Sequence, residues 1–119
     1  MLPFFAMRDG FYHQYWVYIL ASNTGTLYIG MTGYIHRRIH QHKMDAFEGF
    51  AKKYAVHRLV YFESYDQVQR AIGHEKQLKG WRREKKIALI EKVNPRWQDL
   101  SEHWTKEMRF RGQSLEQTP

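Results

Sequence analysis

The sequence predicts an α+β domain, a small three-stranded antiparallel sheet flanked by helices. Three observations lead there. A β-branched and aromatic run at 15–20 is followed by turn residues and a second short run, the pattern of a hairpin. A helix-period stretch comes next, and a third strand-like run follows at Arg58–Tyr65. Beyond it apolar residues recur at helical spacing, so the order reads β-β-α-β-α-α-α.

Residues 1–14 read as an N-terminal extension holding Phe4, Phe5 and Phe11, with Met7 as an alternative start. Residues 15–20 form the first strand, Ala21 to Gly25 the turn, and 26–30 the second strand. Side chains alternate along a strand, so Tyr28 shares a face with Thr26 and Gly30 while Leu27 and Ile29 point away. Gly30 leaves room for backbone or a ligand beside Tyr28. Thr32 fits the N-cap of a helix with Ile35, Arg38, Ile39 and His42 at i, i+3, i+4 and i+7. That stripe should face the core, and an arginine and a histidine among isoleucines need a reason. Residues 43–53, with Gly49, read as a loop or frayed helix end.

Arg58–Tyr65 (RLVYFESY) is apolar on both faces, as a covered strand should be. Asp66 caps a second helix to about Lys79, with Val68, Ala71, Ile72, Glu75 and Leu78 on one stripe and Gly80 ending it. Residues 81–93 form a third helix, basic outside and carrying Ile87 and Ile90 inside. Asn94-Pro95 starts a fourth, where Trp97, Leu100, Trp104 and Met108 repeat at helical spacing. The domain then spans 15–108, and the polar tail 109–119 is expected to be disordered.

Composition narrows the class. With 43% hydrophobic and 16% aromatic residues the chain should fold, and 119 residues suffice for one modest core. The lack of cysteine excludes disulfides and thiolate metal sites. The sequence contains no run of 18 apolar residues and no secretory signal, which fits a cytoplasmic location. A formal charge of +7 suits a polyanion, most simply nucleic acid.

The residue chemistry leaves alternatives open. Glu75 on an apolar stripe is costly to bury unpaired, so it either ligates a hard cation such as Mg²⁺ or pairs with Arg38. Tyr18 and Tyr28 read as core tyrosines or as catalytic phenols. A phenol with a pKa near 10 would need neighbouring cations to act as a base. Asn94 before proline reads as a helix cap, and a cap can also line a site. Arg37, Lys52, Lys53, Arg82, Arg83, Lys85 and Lys86 are candidate phosphate contacts. His36 and His40 stand four apart without a third ligand nearby, a poor basis for zinc.

Elements standing in a fixed order carry a family resemblance. Tyr18-Ile19, ten residues to Tyr28-Ile29-Gly30, ten more to Arg38 and four more to His42 resemble the GIY-YIG nuclease signature. Val17-Tyr18-Ile19 stands where the family has Gly-Ile-Tyr or a variant. Glu75 in GHEKQLKGW and Asn94 in NPRW fall where that family has its metal-binding glutamate and late asparagine. The likeness covers roughly 15–104 and is greatest to the small single-domain bacterial branch, the UPF0213-like proteins.

The resemblance implies the same α+β architecture and a metal-dependent endonuclease that hydrolyses nucleic-acid phosphodiesters, with DNA favoured over RNA as the partner and the choice between them left open. A structure-selective role in repair or recombination and a protein partner for target choice go with that reading. Glu75 would hold Mg²⁺ or Mn²⁺, and Arg38 would hold the scissile phosphate. Tyr28 would activate water, Tyr18 would orient it, and Asn94 would belong to the site. Some relatives place a lysine three residues after the second tyrosine; here that residue is Met31. The base is therefore open between Tyr28 and His42. The alternative to an enzyme is a nucleic-acid-binding module of the same fold with little turnover. Reuse of the fold for protein interaction is a third reading.

Overall fold

Strand β1 (Tyr15–Ala21) lies in the middle of the sheet, and its composition explains why. From Val17 to Ala21 every side chain is buried, which requires cover on both faces. In this computed structural model residues 13–45 and 58–104 are described. Antiparallel neighbours flank β1, with β2 (Leu27–Thr32) on one side and β3 (Arg58–Tyr65) on the other, giving the order β2-β1-β3. The α+β class and the three-stranded antiparallel sheet are as the sequence predicts. Helix α1 (Ile35–Asp45) follows β2, while α2 (Val68–Gly80) and α3 (Arg83–Val93) follow β3. Among the described residues, no helix is long and apolar enough to cross a membrane.

The hairpin register places Tyr18 opposite Gly30 and Leu20 opposite Tyr28. Its turn is closed by Ser22, whose Oγ accepts the Thr26 and Thr24 amides at 2.9 and 3.2 Å. Gly25 takes φ +93°, a conformation that L side chains rarely adopt. Two arginines cover the turn carbonyls: Arg58 donates to Ser22 O at 2.9 Å and Arg83 to Gly25 O at 2.7 Å.

The two faces have separate cores. Tyr18, Leu20 and Leu59 pack with Ile35 and Ile39 of α1. Val17, Ile19, Ala21, Val60 and Tyr61 pack with Ala71 and Leu78 of α2 and Ile90 of α3. A register shift at Ile19/Leu20 lets Leu59 face one side and both Val60 and Tyr61 the other.

Three expectations need correction. Asp66 does not cap α2: Gln67 occupies that position and makes no side-chain cap. The third helix begins at Arg83, two residues later than the expected start at 81.

Nor does Asn94 start a fourth helix through Trp97 and Leu100. It closes α3, donating its amide to Ile90 O at 2.7 Å. The chain then turns, and Trp97 adopts a left-handed φ of 56°. The reason is where the backbone groups go. Leu100 N donates to Leu59 O at 2.7 Å, and the Asp99 carboxylate accepts Leu59 N at 3.1 Å. Those bonds close the outer edge of β3 instead of an i−4 ladder. Trp97 packs in the α2/α3 core whereas Leu100 and Trp104 pack in the α1 core, so the segment wraps round β3. A short helical turn resumes at 102–104. Met108, the extension 1–12, Lys52, Lys53 and the tail lie outside the described residues.

Candidate active site

Gly30 makes the site possible. It faces Tyr18 across the hairpin, and a Cβ there would collide with the Tyr18 phenol. The space expected for backbone or a ligand is filled by Tyr18 itself. Tyr28, two residues earlier on the same face, is 38% exposed against 1% for Tyr18. The two rings lie 6.4 Å apart by their centroids. Helix α1 adds His42, buried as its place on the stripe predicts. Its Nε2 lies 3.1 Å from the Tyr18 hydroxyl, and its ring centroid lies 5.8 Å from that of Tyr18 and 5.1 Å from that of Tyr28.

Arg38, one turn before His42, lies within hydrogen-bonding reach of both phenols. Those hydrogen bonds, Tyr18's first, hold the guanidinium pKa above its ordinary value. Burial pushes the Tyr18 phenol up to about 12, and the hydrogen bond from Arg38 only partly offsets it. Tyr18 is therefore a neutral hydroxyl at pH 7. The Tyr18 oxygen accepts from the guanidinium, which can only donate, and shares a further hydrogen bond with His42 Nε2, whose direction follows the imidazole tautomer. Gln41 Oε1 accepts from Arg38 Nη1 at 2.9 Å and steadies the guanidinium.

Glu75 reaches this group through its charge, which adds to the rise at Tyr18. The carboxylate is 21% exposed and sits 3.7 Å from Lys79 Nζ, so the ion-pair partner is Lys79 and not Arg38. Its stripe is less buried than expected: Ala71 and Leu78 are covered, while Val68 is 37% exposed. Among the described residues no group of three His, Cys, Asp or Glu gathers. A single accessible carboxylate is what a Mg²⁺ ion needs when water and a substrate phosphate supply its remaining oxygens. The donor set fits that ion and does not fit zinc.

Other predicted residues stand elsewhere. The Asn94 amide is spent on the backbone, donating to Val60 O at 3.1 Å and Gln98 O at 2.8 Å and accepting Gln98 N at 3.1 Å. Arg37 lies over the Tyr34 ring at 5.2 Å. Arg83 is tied to the hairpin turn. Arg82 stands at the N-cap of α3, while Lys85 Nζ lies 4.2 Å over the Trp81 ring and Lys86 is half-buried. His36 packs edge-on to Trp104 at 4.5 Å. Sequence reasoning passed over Gln41 and Lys79. Spacings of i+3 from Arg38 and i+4 from Glu75 were the available signals.

Comparison with known proteins points to one family. A family model described as the GIY-YIG catalytic domain matches residues 14–88. A UPF0213 protein of Haloquadratum walsbyi is 32% identical over 80 residues, covering 67% of this chain and 88% of that protein. A UPF0213 protein of Staphylococcus aureus is 30% identical over 77 residues, covering 65% of this chain and 94% of its own length. The solution NMR structure of the UPF0213 protein BH0048 from Bacillus halodurans superposes with a TM-score of 0.49 at 26% identity, covering 72% of this chain and 92% of that one.

Proposed function

This chain belongs to the GIY-YIG family, and from that premise we propose that it is a metal-dependent endonuclease hydrolysing nucleic-acid phosphodiester bonds, DNA in preference to RNA. The observation that carries the reading is the gathering of Tyr18, Tyr28, Arg38 and His42 beside Gly30. An arginine among phenols at a half-open surface suits a phosphate better than it suits a core.

Each side chain then has a task. Arg38 binds the scissile phosphate and offsets the charge that builds on its oxygens. Tyr28, the exposed phenol within reach of Arg38, gives its own proton to solvent and, as a phenolate stabilised by that guanidinium, takes the proton of the attacking water. The neutral Tyr18 hydroxyl and His42, joined by a hydrogen bond, hold Arg38 and Tyr28 in place. Glu75 holds the divalent ion, and Lys79 steadies the carboxylate. When bound, that ion supplies charge stabilisation at the leaving oxygen. We extend the proposal to branched or flapped DNA in repair or recombination, in the cytoplasm, with a protein partner aiding target choice.

A binding module with little turnover is the second reading. Met31 favours it, because no cation stands three residues after Tyr28 to help ionise the phenol.

A panel of labelled branched, nicked and single-stranded substrates, incubated with Mg²⁺ or EDTA, separates the two. Mg²⁺-dependent cleavage that disappears in Glu75→Gln, with binding retained, is the expected result. Cleavage that persists in EDTA or in Glu75→Gln would remove the metal role. Tight binding without cleavage under any condition would establish the second reading.

A further inference from the structure

Between α2 and α3 lies a hollow of about 530 Å³ lined by Gly80, Trp81, Arg82, Glu84 and Lys85. Trp81 is half-buried against the α2/α3 core, which fixes its indole, and Lys85 Nζ stands 4.2 Å over the ring. Residues 79–86 hold five cations, Lys79, Arg82, Arg83, Lys85 and Lys86, and one acid, Glu84. A rigid aromatic ring set among cations has the make-up of a stacking platform for nucleic acid.

We propose that this hollow binds an unpaired nucleotide of the substrate, with its base on Trp81 and its phosphates on Arg82 and Lys85. Inside a duplex, neighbouring bases cover each base face, so only an unstacked base can reach a side-chain ring. The occupant is therefore single-stranded: a flap, an overhang or a melted strand. Lys85 need not be lost when the base arrives, because its flexible ammonium can pass from the ring to the adjoining phosphate. Trp81 follows Glu75 by six residues, roughly 9 Å along the axis of α2, which ends at Gly80. The inference rests on the nuclease reading and names its substrate class.

Binding to the full-length chain in EDTA tests it without cleavage. Fluorescence anisotropy compares a short labelled oligothymidylate with an abasic oligomer of equal length and charge. The unaltered chain should hold the thymidylate about tenfold tighter. Trp81→Phe should keep most of that difference and Trp81→Ala should abolish it. The ligand-side comparison needs no variant, so it stands even if Trp81→Ala fails to fold. Equal affinity for the two oligomers overturns the site but leaves phosphate-driven binding intact. Discrimination that survives in a folded Trp81→Ala chain overturns it too, by placing the stacking elsewhere. Absence of binding to either oligomer and to duplex would remove the nucleic-acid reading as a whole.

Discussion

Two clusters in this chain are built from the same parts, two strand tyrosines and a helix histidine, yet they differ in charge and openness. On the α1 face Tyr18 and Tyr28 meet His42 with a cation, Arg38, between the phenols. On the opposite face Tyr61 and Tyr65 meet His74 around an anion, Glu63. Tyr61 donates a hydrogen bond to Glu63, and His74 Nε2 lies 3.6 Å from the same carboxylate. Burial and then the bond to Glu63 push the Tyr61 phenol up, while burial and then the Glu63 charge push Tyr65 up to about 12. Beside an anion a phenol stays a donor, and the second cluster is a brace between β3 and α2. Tyr18 shows that a cation alone does not reverse burial, since it too rises to about 12 beside Arg38. Of these four phenols only Tyr28 combines a neighbouring cation with an open side. The lesson is that residue type names neither cluster's role; the sign of the partner charge and the exposure of the ring do.

The widest gap between the clusters should appear in Tyr28→Phe. The ring and its packing stay, the fold survives, and single-turnover cleavage with saturating Mg²⁺ should fall by about 10² or more. His42→Gln should cost less, with the rate still rising above about pH 7.5. If His42 is the base, that ranking inverts and the rate levels off near pH 7. A fully active Tyr28→Phe enzyme would end the assignment. Gly30→Ala comes next. The new methyl displaces the Tyr18 phenol, at a cost of about 1–3 kcal/mol in denaturant unfolding, and cleavage falls with it. Unchanged stability would mean that Tyr18 can move aside freely.

Tyr61→Phe should have the smallest effect, about 0.5–1.5 kcal/mol of stability with cleavage unchanged, because only the brace to Glu63 is lost. The pH dependence points the same way. Tyr18 and Tyr65 titrate near 12 when folded against about 10 when unfolded, so above pH 10 the folded chain retains protons the unfolded chain has released. Their contribution is whole below pH 10 and declines as pH rises through 12. Chemical denaturation across that window should show the decline, and a flat profile would contradict the buried-phenol description.

The hairpin, α1 and β3 were legible because alternation and the 3.6-residue stripe report burial directly. Ile35, Ile39 and His42 are buried as their spacing predicts. Periodicity does not report which group satisfies which. Nothing in the spacing of Glu75 chose Lys79 over Arg38, since that depends on where α1 and α2 sit around the sheet. Trp97, Leu100 and Trp104 kept helical spacing while entering opposite cores, because β3 offered their segment better hydrogen bonds than a helix would. Asn94 shows the same limit, for Asn-Pro marks a chain reversal equally well after a helix as before one.

The wrapping of residues 97–101 round β3 sets the smallest piece of this chain that behaves as a unit. Burial pushes the Asp99 carboxyl up, but bonds from Lys43 at 2.5 Å, Ser101 and Leu59 outweigh it and hold the group ionised below the usual carboxylate pKa. That carboxylate joins α1, β3 and the C-terminal segment through one side chain. The family match ends at residue 88, before any of these bonds is made. A fragment cut at that boundary would leave the Leu59 amide and carbonyl and the Val60 carbonyl unmet, a template for strands of neighbouring molecules. Solubility on excision therefore requires the chain to run through Ser101.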